Sequence, residues 1–314
     1  MTTELLDATD PATAEAAIAR AAELLTAGAV VAIPTETVYG LAADARHPGA
    51  VAAIFAAKGR PSHNPLIVHV ADADEARRWA GEWPAAAERL AARFWPGPLT
   101  MVLPLGDGLA PAVTAGGSTV GLRAPAHPVA RRLLRVAAMP LAAPSANPSN
   151  RLSPTTAAMV MAGLGGRIPA VLDGGACEVG LESTVLSLAD GEPRVLRPGM
   201  ITAAMLAEAL GRPVASGPAP AAGHAPLPSP GMLPRHYSPA LPLVLEDAPH
   251  PAPGTAVIRL GVEIPADAAG FARSLYAVLR AAETSGADRI VLQRPPAGPE
   301  WDAIHDRLRR ATHP

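Results

Sequence analysis

Apolar positions along this chain of 314 residues fall into two rhythms. One is the three-to-four spacing of helices; the other is the short, unbroken apolar run of buried strands. Asp10-Pro11 supplies a capping residue followed by a proline at the first helical position, so a helix is predicted over Ala12 to Ala27, stopped by Gly28. Val30 to Ile33 is a short buried strand. Pro48 opens a second helix with Val51, Ile54 and Phe55 on one face, ending near Lys58, and Leu66 to Val70 is another strand. Helices are predicted near 72–80 and 84–94, strands near 99–104 and 118–123, a helix near 127–137 and a strand near 140–143. A helix near 155–162, strands near 169–173, 183–188 and 194–197, and a helix near 201–210 follow. Strands that interleave with helices argue for an α/β fold.

Residues 212–240 break the rhythm. They are rich in proline and small residues, and are expected to form a semi-rigid extended linker. Beyond them, Leu243 to Leu245, Ala256 to Leu260 and Ile290 to Leu292 read as strands, with helices near 268–284 and 299–311. The expected organisation is a catalytic unit over 1–211, a linker over 212–240 and a small α/β unit over 241–314. A unit of roughly 75 residues is close to the size at which a lone core becomes marginal, so it should lean on the first. No internal repeat is visible.

Composition narrows the classes. Hydrophobic residues make up 49% and aromatics 3%, so the core is aliphatic. A net charge of −2 argues against binding nucleic acid through a global basic field, while leaving room for a local basic cleft. The single Cys177 excludes an internal disulfide and a cysteine metal cluster. The opening Met-Thr-Thr-Glu-Leu-Leu-Asp lacks the pattern of a signal peptide, and no apolar run reaches the length of a membrane span. A cytoplasmic protein is the expectation.

One charge stands apart. The chain carries 26 cationic residues and Lys58 is the only lysine among them. Lysine offers a compact charge with rotatable donors where arginine offers a planar fork. Lys58 is either an accident of composition or a position that needs the compact charge, with an anion as the natural partner. Arg60 lies beside it, in a turn stiffened by Pro61 and Pro65 and furnished with the amide of Asn64.

Four further segments have the same polar character at predicted strand ends, where ligands of α/β sheets gather. Pro34 to Leu41 holds hydroxyls, a carboxylate and a phenol after a buried strand. Ser118 to Pro125 delivers Arg123 at a strand end, placed for a carboxylate or for a structural ion pair. Pro144-Ser145-Ala146-Asn147 leads to Ser153-Pro154, a helix entrance that suits either capping or phosphate. Glu182-Ser183-Thr184 and Arg197-Pro198-Gly199 form the last pair. His69 ends an apolar strand and, taken alone, reads as a core residue. Phosphate-binding loops of the Gly-x-x-x-x-Gly-Lys-Ser/Thr kind are lacking.

In order, these segments resemble the YrdC/Sua5 family of L-threonylcarbamoyladenylate synthases, over residues 14 to 210. Ser229 to Met232 with Arg235-His236-Tyr237 resembles the linker of the two-domain Sua5 type. The resemblance implies a twisted open sheet with helices and a concave ligand cleft, plus a small Rossmann-like C-terminal α/β domain. It implies a nucleotidyl transfer in which threonine, bicarbonate and ATP, with Mg2+, yield threonylcarbamoyl-AMP and pyrophosphate. The product serves adenosine 37 of tRNA through downstream threonylcarbamoyl transferase proteins. Carried over by position, Thr35, His69, Arg123, Ala143 (by backbone) and Ser183 would hold threonine. Lys58, Arg60, Ser145 and Asn147 would hold phosphates or bicarbonate. Asn64, Thr119, Ser153 and Arg197 would hold ATP, with Tyr237 folding over the nucleotide. An RNA-binding module without ATP chemistry, or a carbamoyl-adenylate synthase with another substrate, are the alternatives.

Overall fold

The computed structural model describes residues 2–217 and 236–313. In chain order the elements are β1 (Glu4–Asp7), α1 (Ala14–Thr26), β2 (Val31–Ile33), β3 (Gly40–Asp44), α2 (Pro48–Lys58), β4 (Ile67–His69), α3 (Ala73–Trp79), α4 (Ala85–Phe94), β5 (Leu99–Pro104), β6 (Thr119–Arg123), α5 (Pro128–Ala137) and β7 (Leu141–Ala142). Then come α6 (Ala157–Leu164), β8 (Ala170–Asp173), β9 (Thr184–Ser187), β10 (Arg194–Arg197), α7 (Ala203–Leu210), β11 (Ala215–Ser216), β12 (Leu243–Glu246), β13 (Thr255–Ile258), α8 (Ala268–Glu283), β14 (Arg289–Gln293) and α9 (Asp302–Ala311).

Among the described residues the strands build two sheets. The larger has eleven strands in the order β1-β8-β2-β3-β7-β4-β6-β5-β9-β10-β11, and the smaller is β12-β14-β13. The small sheet is wholly parallel, whereas the large one mixes parallel pairs such as β4–β6 with antiparallel pairs such as β5–β6. Helices α1 and α5 cover one face of the large sheet. In α5 the buried residues Ala130, Leu133 and Leu134 repeat at helical spacing. The other face packs on α2, α4, α6 and α7. The mixed α/β architecture with a second small sheet agrees with the fold class expected from the sequence.

The differences are local. β1 and β3 were not foreseen: Glu4–Asp7 has charged ends, and Gly40–Asp44 has no β-branched residue, so neither resembles a strand until β8 and β7 pair with them. Asp10-Pro11 forms a turn in which Asp10 Oδ1 accepts from the Ala12 amide at 2.8 Å, and α1 starts later, at Ala14. Ser229 to Met232 and Arg235, read above as part of the linker, lie outside the described residues.

The small sheet does not stand alone. Helix α8 buries Phe271, Ala272, Leu275, Tyr276, Leu279 and Ala282. The same apolar cluster takes in Val38, Leu152 and Leu181 from the large unit. A core shared in this way meets the shortfall expected of so small a unit.

Candidate active site

The topology gathers polar strand ends at one edge of the large sheet. β4 and β6 run parallel with His69 opposite Arg123, so these two residues finish side by side. β6 is antiparallel to β5, and β5 is parallel to β9, which brings Ser183, just before β9, to the same edge. β10 returns antiparallel to β9, and its register shifts between Val195 and Arg197. Such a bulge re-aims a side chain, and Arg197 ends beside Ser183. Its Nη2 donates to Ser183 O at 3.0 Å and to Ser183 Oγ at 3.2 Å. The resulting pocket has an open volume of about 530 Å3.

Thr35, Arg60, His69, Arg123, Ala143, Ser145, Ser183, Arg197 and Tyr237 line it, all of them singled out from the sequence. Five others do not. Ser153 stands one bond behind, donating to Glu182 Oε1 at 2.6 Å. Lys58 and Asn147 sit behind Ser145. Asn64 is buried with an unpartnered Oδ1. Thr119 begins the strand that Arg123 ends, about 13 Å away at strand rise.

The electrostatics rest on pairing. Arg123 is 4% exposed and its Nη2 meets Glu36 Oε1 at 2.7 Å, while the Ala126 amide donates to Glu36 Oε2 at 2.9 Å. A carboxylate held at both oxygens fixes the arginine fork in one orientation. Burial pushes the Arg60 guanidinium down to about 10, although its Nη2 still donates to Pro65 O at 3.0 Å. Burial, and then the charge of Arg123, push the His69 imidazole down to about 3, so it is neutral near pH 7. Its Nδ1 has no partner. The Thr35 hydroxyl is engaged locally: it donates to Val38 O at 2.6 Å and so shapes the loop between β2 and β3.

Lys58 is 3% exposed, and its Nζ donates to Ser145 O at 2.5 Å and to Asn147 O at 2.6 Å, with Asn147 Oδ1 at 3.4 Å. The compact ammonium thus tethers the Ser145–Asn147 loop by its carbonyls. The signal was present in the sequence: Lys58 continues the core-facing stripe Ala50, Val51, Ile54 of α2. A lysine on that stripe must be buried and must find acceptors.

Several site residues escaped the sequence reading. Glu36 and Glu182 lie within the polar segments but were given no role. His236 lines the pocket beside Tyr237, with the two rings 4.0 Å apart and edge-on. Tyr237 holds a left-handed backbone at φ 60°, and its hydroxyl is buried without a partner. Strain of this kind persists only where surrounding contacts impose it. Here the Ser238 amide donates to Asn150 O at 3.0 Å and the His236 amide to Arg310 O at 3.3 Å. Tyr276 and Arg307, from the small unit, reach Glu182, and nothing in their local sequence announces this.

Comparison with known proteins fits this geometry. Residues 23–199 match the Sua5/YciO/YrdC family model, described as telomere recombination. Residues 201–312 match the model for the C-terminal domain of threonylcarbamoyl-AMP synthase. The chain is 48% identical over 242 residues to threonylcarbamoyl-AMP synthase of Bacillus subtilis, covering 76% of this chain and 70% of that one. It is 36% identical over 319 residues to the synthase of Pyrococcus abyssi, covering 93% of each. The crystal structure of P. abyssi Sua5 complexed with L-threonine superposes with a TM-score of 0.90 at 35% identity, over 99% of this chain and 98% of that one.

Proposed function

The chain belongs to the Sua5/YrdC family and carries its threonylcarbamoyl-AMP synthase activity; from that premise we propose how the pocket divides the work. The reaction is a nucleotidyl transfer. The amine of threonine takes up bicarbonate as a carbamate, with loss of water. A carbamate oxygen then bonds to the α-phosphorus of ATP as the bond to pyrophosphate breaks. No protein nucleophile is needed, so catalysis rests on positioning and on charge stabilisation.

The observation that carries the reading is the convergence of Arg60, Arg123 and Arg197 on one pocket at the sheet edge. We assign Arg123, oriented by Glu36, to the threonine carboxylate, with Thr35, Ala143 and Ser183 around the amino acid. Neutral His69 lines the same side of the pocket, beside Arg123. Arg60 and Arg197 face the phosphates and the bicarbonate-derived carbamate. Ser145 and Asn147 shape that side, held by Lys58. Ser153, Asn64, Thr119 and Tyr237 complete the nucleotide site in this assignment. The unpartnered Oδ1 of buried Asn64 supports an adenine or ribose donor there.

Magnesium is proposed only as the companion of the ATP phosphates. Among the described residues no three His, Cys, Asp or Glu side chains come together as a ligand set. Glu36 and Glu182, the carboxylates at the pocket, are each held by an arginine. The side chains do not fit a protein-held magnesium ion.

We further propose that residues 1–211 form the catalytic unit and 241–314 the smaller one, joined by 212–240. The product would pass to threonylcarbamoyl transferase proteins acting on tRNA, in the cytoplasm. Among the described residues no helix is long and apolar enough to cross a membrane. The direct test is mass-spectrometric detection of threonylcarbamoyl-AMP, with threonine and bicarbonate omitted in turn. ATP consumption that does not depend on threonine would refute the reading.

A further inference from the structure

Arg307 sits in α9 of the small unit, yet most of its acceptors belong to the large one. Its Nε donates to Glu182 Oε2 at 2.8 Å, Nη2 to Glu182 O at 3.2 Å and Nη1 to Pro198 O at 2.8 Å. Only Asp306 Oδ2, 3.0 Å from Nη1, is its own neighbour. The side chain is 1% exposed. Its guanidinium also lies over the Tyr237 ring, 5.2 Å from the centroid, within range of a cation–π contact.

Glu182 is a junction. Its Oε1 accepts from Ser153 Oγ at 2.6 Å, its Oε2 accepts from Tyr276 Oη at 3.1 Å, and the residue lines the pocket next to Ser183. Burial raises the affinity of this carboxyl for a proton, but the charges of Arg307 and Arg197, together with the hydrogen bonds from Ser153 and Arg307, hold it below the usual carboxylate range. An ionised carboxylate in the wall of a site for a polyanion repels its substrate unless a cation answers it. Within the large unit Arg197 hydrogen-bonds Ser183 and adds positive charge near Glu182, while the 2.8 Å ion pair to the carboxylate comes from Arg307 of the other unit.

We propose that Arg307 is a positioning residue for nucleotide binding: it neutralises Glu182, so that the carboxylate can orient Ser153 without repelling ATP, and it seats Tyr237. The small unit thereby completes the active site. This inference rests on the assignment of Ser153 and Tyr237 to ATP.

The test uses the full chain and compares the wild type with Arg307→Gln, Arg307→Lys and the double variant Glu182→Gln/Arg307→Gln, reading threonine-dependent pyrophosphate release. Arg307→Gln removes the direct ion pair on a buried carboxylate, so the KM for ATP should rise about tenfold or more, while the KM for threonine stays within about threefold. Arg307→Lys keeps the charge and loses the fork, so it should show a smaller ATP-selective rise. The double variant removes the repelling charge but not the loss of the Tyr237 seat, so its KM for ATP should fall to about a third or less of that of Arg307→Gln while staying above wild type. If Arg307→Gln does not fold, the lysine and double variants carry the same comparison. The inference is overturned if no folded single variant shifts the KM for ATP, or if both KM values rise together. A double variant that fails to fold also overturns it, because the pair would then serve the fold alone. Absence of threonine-dependent turnover in the wild type would strike the synthase reading itself, a distinguishable result.

Discussion

Replacing Lys58 by methionine separates two uses of the same charge. Methionine keeps the unbranched stem and removes the donors. Ser145 O and Asn147 O, now 2.5 and 2.6 Å from Nζ, would lose their partner in a site where the residue is 3% exposed. An orphaned buried acceptor costs about 1–3 kcal/mol, so the pair costs about 2–6 kcal/mol. Relief from burying an ammonium offsets part of this, leaving about 2–4 kcal/mol. In a protein of this size that lowers Tm by roughly 3–6 °C. Lys58→Arg brings a larger planar group into the same space, and overpacking costs about 1–3 kcal/mol. Thermal unfolding should be followed by circular dichroism without any substrate present, then repeated with ATP. A tether shows its loss in the substrate-free melt. If Lys58→Met melts within about 1 °C of the wild type while its KM for ATP rises, Lys58 is an anion clamp and the tether reading is wrong.

Other variants probe the surrounding contacts. Glu36→Gln should raise the KM for threonine about tenfold by weakening the hold on the Arg123 fork, with the KM for ATP unchanged; steady-state kinetics showing equal rises would remove Glu36 from the threonine side. Gly180→Ala should loosen the seam between the two units. Gly180 has φ +79°, and an added Cβ would press on the Arg273 backbone and lie 2.6 Å from Ala272 O. A wild-type melting curve for that variant would show that the seam yields without cost. Stability should also fall in mild acid. His69 and His236 are each pushed down to about 3 by burial. Their neutral form is favoured in the folded state, so the contribution is full above about 6.5 and declines as the unfolded chain alone takes up protons. Between pH 7 and 5 each histidine removes about 2 kcal/mol. A urea midpoint that does not move over this range would contradict the burial of both rings.

Much of the α/β pattern was legible because its signals are local. Helix spacing and short apolar runs depend on residues a few positions apart. The polar strand ends were legible for the same reason, and seven of the residues drawn from them line one pocket together with Arg60 and Tyr237. What escaped depends on contacts between distant parts of the chain. β1 is a strand because β8 lies beside it, more than 160 positions away in sequence. Lys58 meets carbonyls 87 and 89 residues downstream, a tether that its local sequence does not name. Arg307 closes on Glu182 across 125 residues. The amino-acid sequence by itself determined which side chains were available and that they stand at the ends of strands, since periodicity and turn chemistry act along the chain. Only the tertiary structure decided which charges meet, because buried pairing is set by strand order, register and the packing of one unit on the other.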